Sequence, residues 1–253
     1  MRQTPPMIGA PVNWRTPEEL IEIGFSRSRV VMMNEAHDGL RRSVATRRMG
    51  LRILPAAHAA GCRHLAMEAL DPHFAAEANR SQQAPERSIG YLAQPEMRAL
   101  IAGALELGWT LLPYEADLHP DGVELPGSDG GHWARVNWRD EQQARNLVAS
   151  LERLPEDARL LVWCGNSHHS KSQDDEWTPM GFWFRELADI DAFAIDQIRG
   201  VRFDSDYRPI SYWLSVYALE IGSGAGFLAG EAPDDWPDVG VDAYLFLDDN
   251  ELS

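Results

Sequence analysis

Cysteine is nearly absent from this 253-residue chain, which has only Cys62 and Cys164. They form no C-x-x-C pair, so their spacing supports neither a zinc cluster nor a disulfide framework, and a reducing compartment is the natural setting. Each lies in an apolar stretch and reads as a small buried hydrophobe. Long apolar runs are missing too: no stretch approaches the ~20 residues a membrane-spanning helix needs. The segment from Met1 to Val12, with Pro5, Pro6 and Pro11, does not read as a signal peptide. The expectation is a cytoplasmic protein with no membrane partner. Positive charge is scarce, with 23 Lys and Arg against 39 Asp and Glu and a formal net charge of -16, which argues against nucleic acid as a partner. Internal repeats and low-complexity tracts are absent. Neither the G-x-S-x-G elbow of serine hydrolases nor the compact H-E-x-x-H zinc motif occurs.

What remains is a chain able to build a substantial core. Hydrophobic residues make up 44% and charged residues 25%, within the range of ordinary folded domains, and residues 1–253 are expected to form one domain. Thr16-Pro17-Glu18-Glu19 marks a helix start that should run to about Gly24. Arg29 to Met33 reads as a buried strand. A long helix follows from about Leu40 to Ala60, with Pro55 as a possible kink and Gly61 as its stop. His64 to Met67 is the next strand, Gln94 to Leu107 a helix, and Thr110 to Pro113 a strand. His119 to Trp133 reads as a loop rich in Gly, Asp and Pro. Arg139 to Leu154 is expected to be helical, with Asp140 able to cap it, and Leu160 to Cys164 is another strand. Gly181 to Ala188 suggests a helix, and Ala192 to Ile198 and Ala243 to Leu247 suggest strands. Phe203 to Asp242 is either a lid or part of the core, and its Gly222–Gly226 run suggests mobility. This alternation predicts an α/β fold: a mostly parallel central sheet with helices on both faces and the site at the C-terminal ends of the strands.

The polar clusters fall at those strand ends. Glu35 and His37 share the turn after the first strand, where a carboxylate can raise the imidazole pKa and fix its tautomer, as a general base requires. Glu68 ends an apolar strand and would orient the base or the attacking water. Gly165-Asn166-Ser167-His168-His169 follows another strand and offers His168 as general acid, oxyanion stabiliser or metal ligand, ahead of His169. Arg41 and Arg42 open a helix whose dipole they oppose, so binding a substrate carboxylate or phosphate would explain them. Glu115, Tyr114 and Arg139 complete the candidate substrate contacts. Among the tryptophans, Trp133 and Trp177 are the better pocket candidates. Trp109, Trp138, Trp163 and Trp183 read as core. Two carboxylates and two imidazoles without a nucleophile elbow favour attack by water. No cofactor is expected, with a divalent metal held by the same Glu and His residues as the alternative.

Four segments carry a resemblance: Val30–Met33 followed by Asn34-Glu35-Ala36-His37-Asp38-Gly39; Leu65-Ala66-Met67-Glu68; Trp138-Arg139-Asp140 heading a helix through Asn146-Leu147; and Leu161–Gly165 followed by Asn166-Ser167-His168. Together they resemble the erythromycin esterase-like superfamily, which includes the ChaN-like and Tiki groups. The resemblance implies an ester, lactone or amide hydrolase. In it His37 activates water, Glu35 and Glu68 assist, His168 shares the cleft, and Arg41 or Arg42 contacts substrate. Asn34 replaces the family's usual Gly, and the Glu35-x-His37 spacing is nearer the ChaN-like branch. The alternatives are a metal-dependent hydrolase and a non-catalytic haem or planar-ligand protein using Tyr114 or His168 as axial ligand. The expected partner is a small-molecule or peptide substrate, the same chemistry would suit a natural-product tailoring enzyme, and the assembly is a monomer or homodimer.

Overall fold

In the computed structural model, residues 13–35, 40–86, 90–118, 125–126, 131–199, 224–232, 236 and 238–247 are described, those at 40–43 and 199 by backbone alone. The Thr16 hydroxyl accepts from the Glu19 amide at 3.2 Å, and the Glu19 carboxylate accepts from the Thr16 amide at 2.7 Å, a reciprocal cap that starts α1 (Pro17–Arg27). The helix continues past Gly24, which is a packing residue and not a stop. A Cβ there would lie 2.8 Å from the Phe193 ring and 3.0 Å from Val31.

The chain continues through β1 (Val30–Glu35), α2 (Leu40–Ala59), β2 (Cys62–Met67), α3 (Pro72–Ser81), α4 (Pro95–Glu106), β3 (Thr110–Pro113) and α5 (His132–Leu151). It finishes with β4 (Arg159–Gly165), α6 (Met180–Ala188), β5 (Phe193–Arg199), β6 (Ala225–Leu228) and β7 (Ala243–Leu247). The strands form one sheet in the order β3-β2-β4-β1-β5-β7-β6, parallel throughout except for the β6–β7 pair. The mostly parallel α/β sheet expected from the sequence is therefore present.

Alternating strand residues build two cores. Val31, Met33, Leu65, Met67, Leu161 and Trp163 face α1, α2 and α4. Val30, Met32, Ala66, Leu160, Val162 and Cys164 face α5 and α6. Helices thus cover both faces, and the strands, buried on both sides, carry near-continuous apolar runs. An aromatic cluster of Phe227, Tyr244 and Phe246 with Trp14 and Trp236 extends the core at the β6–β7 end.

Several boundaries differ from the expectation. Helix α5 starts at His132, because the helix-breaking composition ends at Gly131, so Arg139 and Asp140 lie in mid-helix and Asp140 caps nothing. Helix α2 runs unbroken through Pro55, which is exposed where water can reach the backbone carbonyl that proline leaves unpaired. Helix α3 lies outside the elements expected from the sequence, although Asp71-Pro72 repeats the Thr16-Pro17 signal; the Asp71 carboxylate accepts from the Phe74 amide at 2.7 Å. Ala225 and Gly226, expected to be mobile, belong to buried strand β6, where Gly226 exchanges backbone hydrogen bonds with Arg15 at 2.8 and 2.9 Å. Residues 203–223 of the proposed lid lie outside the described residues. Among the described residues, no helix is long and apolar enough to cross a membrane.

Candidate functional site

The strand alternation separates the two candidate glutamates. Glu35 follows Val31 and Met33 in parity, so it points toward α2, where it is fully buried. Its carboxylate accepts from Arg47 Nε at 2.9 Å and Nη2 at 3.1 Å, from Tyr91 Oη at 2.5 Å and from Trp163 Nε1 at 3.0 Å. Arg47, itself buried on α2, holds the ion pair. A carboxylate so saturated is an anchor for the end of β1 and is poorly placed to exchange protons with substrate. Burial, and then the charge and hydrogen bond of Glu35, push the Tyr91 hydroxyl far above its ordinary range.

Glu68 follows Ala66 in parity and faces α5. Its Oε2 accepts from the Gly165 amide at 2.5 Å, and Oε1 is ion-paired with Arg139 Nη2. Burial pushes its pKa up, but the charges of His168 and Arg139 with these hydrogen bonds outweigh it, and the net shift is downward. Arg139 also donates to Glu115 through Nε at 2.9 Å and Nη2 at 2.6 Å, and Gln143 Nε2 donates to the same carboxylate at 2.9 Å. Arg139 therefore joins two acidic side chains from the exits of β2 and β3.

His168 leaves β4 through a turn whose Asn166 adopts a left-handed φ of 39°, a conformation Asn tolerates better than most residues. The Asn166 amide donates to Glu35 O at 2.7 Å, and Gly181 N–H donates to His168 O at 2.8 Å. Gly181 lies so close to the carbonyls of His169 and Ser170 that a Cβ would collide with them. The loop is thus clamped between β1 and α6. The His168 Nδ1 is hydrogen-bonded to the Asp140 carboxylate, and Asp140 accepts a second bond from Trp177 Nε1 at 2.5 Å. Trp177 stands perpendicular to the His168 ring, 5.6 Å between centroids, and Trp133 lies 6.4 Å beyond it. Burial would lower the His168 pKa, but the hydrogen bond and charge of Asp140, with Glu68, raise it above the ordinary imidazole value. Asp140 is the main residue that sequence reasoning misassigned. Its signal was its place next to Arg139 on the helix facing β4, but a late helix start made it look like a cap.

The structure brings Glu68, Glu115, Arg139 and His168 to one edge, with Glu35 behind them on the α2 side. His37 lies outside the described residues, as do the side chains of Arg41 and Arg42 in the first turn of α2. Tyr114 is not a substrate contact or an axial ligand: it is buried, and its hydroxyl donates to Trp163 O at 2.9 Å. Of the two tryptophans expected to line a pocket, Trp177 packs on the His168 ring and Trp133 packs on Trp177, whereas Trp109 and Trp163 are core. His169 is buried with no hydrogen bond to either ring nitrogen, and burial together with the His168 charge pushes its pKa down to about 3. Both cysteines are buried. Burial pushes the Cys62 thiol up to about 12, and burial with the nearby carboxylates raises Cys164 well above its ordinary value, so neither supplies a thiolate nucleophile.

Two of the strand-end carboxylates have their oxygens committed to donors within the protein. Glu35 gives its oxygens to Arg47, Tyr91 and Trp163, and Glu68 gives its own to Arg139 and a backbone amide. Among the described residues, no three His, Cys, Asp or Glu side chains gather as ligands.

A mostly parallel sheet with its polar side chains at the strand exits defines the class of the fold. The chain is similar in structure to the type III effector HopBA1, at 13% identity, covering 98% of this chain and 100% of that one with a TM-score of 0.57. It overlaps less closely with RRSP, a MARTX toxin effector domain from Vibrio vulnificus CMCP6, at 15% identity, 73% of this chain, 36% of that one and a TM-score of 0.47. For the C-terminal region of Pasteurella multocida toxin, described as having a thiol-protease-like catalytic triad, identity is 13%, coverage 60% and 21%, and the TM-score 0.44. At these identities the likeness is one of fold. No family model and no curated protein matches the chain by sequence.

Proposed function

We propose that the chain is a hydrolase of an ester, lactone or amide, with His168, oriented by Asp140, acting on the substrate. The observation that carries this reading is the Asp140–His168 pair at the C-terminal edge of the sheet. Asp140 holds Nδ1 and leaves Nε2 to work on substrate. An imidazole with a raised pKa is suited to donate a proton to the leaving oxygen or nitrogen, or to hydrogen-bond a developing oxyanion. Water attack on the carbonyl needs a base, and His37, two residues beyond the Glu35 anchor, is assigned that role. The water proton passes to His37, the acyl–oxygen or acyl–nitrogen bond breaks, and His168 returns a proton to the leaving group. Glu68 stabilises the His168 cation and fixes Arg139. The resemblance of residues 30–169 to erythromycin esterase-like proteins supports the same chemistry.

The test is turnover of an ester, lactone and amide panel by the wild type and His168→Gln, in excess chelator. A folded variant should lose about 10²- to 10⁴-fold in kcat. Equal turnover of the two proteins would remove His168 from the chemistry. Turnover abolished by chelator would remove the water-and-imidazole mechanism.

A further inference from the structure

Next to His168 in the chain, His169 is 1% exposed, and neither of its ring nitrogens makes a hydrogen bond. Burying an imidazole without partners is costly. The Asp196 carboxylate on β5 faces its Nε2 across 3.7 Å, too far for a hydrogen bond. Asn34 on β1 fixes that carboxylate. The Asn34 Oδ1 accepts from the Gln197 amide at 2.6 Å, which leaves Nδ2 to donate to Asp196 Oδ1, also at 2.6 Å. The same Oδ1 is the atom that faces the imidazole. The Asp196 side chain is 20% exposed, so it can exchange a proton with solvent.

The backbone around His169 is tied on both sides. Before it, the Asn166 amide donates to Glu35 O at 2.7 Å; after it, Ser170 Oγ donates to Val239 O at 2.7 Å and the Lys171 amide to Gly240 O at 2.7 Å. The His169 ring lies between these ties, one residue from the ring that meets Asp140. The other titratable groups around the gap are settled. Tyr244 on β7 is in register with Asp196, and burial raises both its hydroxyl and the Cys164 thiol, so they stay protonated. Lys171 is paired with Asp191 and Asp242. Burial, and then the charge of His168, push the His169 pKa down to about 3. Burial pushes the Asp196 carboxyl up to about 6, against the Asn34 hydrogen bond. Asp196 therefore titrates while His169 stays neutral.

A neutral imidazole carries its proton on one nitrogen only. Facing an ionised carboxylate, His169 is favoured with that proton on Nε2. When Asp196 takes a proton from solvent, its Oδ1–H can donate to Nε2 while still accepting from Asn34. The ring proton then sits on Nδ1, and the gap closes by about 0.5–1 Å. We infer that Asp196 is a positioning residue for His168 that acts through His169: ionised, it leaves the loop where His168 meets Asp140, and protonated, it bonds to the His169 ring and draws the loop toward β5. Its bearing on turnover rests on the hydrolase reading; the tautomer exchange does not. The experiment is ¹⁵N NMR of the full chain labelled at histidine, with the Asp196 carboxyl followed by ¹³C. In the wild type, the proton-bearing nitrogen of His169 should change from Nε2 to Nδ1 as Asp196 takes up its proton, and the His168 ring signals should step at the same pH. Asp196→Asn can keep its oxygen on Asn34 and does not titrate. Its His169 should hold the Nε2–H form throughout, and its His168 should show only its own titration. A His169 tautomer that stays unchanged through the Asp196 titration overturns the inference. So does a tautomer change with no step at His168, or the same two steps in Asp196→Asn. Should the variant not fold, the wild-type titration decides alone. If both steps are present and His168→Gln retains full turnover, the hydrolase reading fails while the coupling of Asp196 to the loop stands.

Discussion

Replacing Asp140 by Asn isolates the interaction on which the proposed chemistry depends. Asp140 is fully buried and accepts from two donors, the His168 ring and Trp177 Nε1. Asparagine keeps the shape but has one acceptor oxygen and an NH2 group. If the oxygen serves Trp177, the NH2 must face His168 Nδ1, which then becomes an acceptor and moves the ring proton to Nε2. The favoured tautomer is reversed, and the negative charge that favours imidazolium is gone. Each pKa unit lost by His168 corresponds to about 1.4 kcal/mol, and a charge-assisted hydrogen bond contributes about 1.5–3 kcal/mol to stability. The wild-type His168 pKa is raised in the fold, so its contribution to stability is complete below the unfolded imidazole pKa. It is lost as pH rises through the folded value. Asp140→Asn should therefore be destabilised most at low pH and approach the wild type at high pH. In the pH–rate profile, the basic limb should move to lower pH, with kcat reduced by about 10²- to 10⁴-fold at pH 7. Imidazole NMR titration, denaturant unfolding at several pH values and the rate profile measure all three. An unchanged His168 titration in a folded variant would refute the reasoning, whatever happens to the rate.

Arg47→Met leaves the buried Glu35 carboxylate without its guanidinium, and denaturant unfolding should show a loss of about 3–5 kcal/mol. Replacing both partners, with Glu35→Gln added, should recover part of that loss; no recovery would show that the pair's charge is not the cause. His169→Leu removes a buried imidazole that has no hydrogen-bond partner. Because its folded pKa is depressed, the wild type loses stability as pH falls from about 6.5 toward 3, and the variant should lose less over that window. Parallel pH–stability curves for the two proteins would contradict this.

Much of the fold could be read from the sequence because its strands are short apolar runs bounded by turn residues, and because Thr16-Pro17 carries a complete cap. The edges were harder. Strand β6 contains Gly226, whose pairing with β7 and Arg15 is a tertiary outcome that composition does not announce. The candidate site was legible as a set of positions but not as a set of roles. Glu35 and Glu68 look alike in the sequence, each ending an apolar strand. Counting alternation along β1 and β2 assigns them to opposite faces, and that step separates an anchor from a group beside His168. Tyr114 follows the same rule: its parity with Leu112 turns it into the α5-side core. Asp140 needed more, because its partner lies 28 residues away and only the packing of α5 against β4 brings them together.

The strand order carries a consequence for how the protein comes into being. Strands β1 and β2 are made early, yet they never touch, because β4 inserts between them. Until residue 165 has left the ribosome, each strand has an unpaired edge, and the slot that will hold the Gly165 amide against Glu68 is empty. The strand that fills the gap between β1 and β2 also delivers His168. Chemical competence should therefore arrive together with insertion of β4. A nascent chain ending before β4 should be both inert and prone to wrong edge pairing.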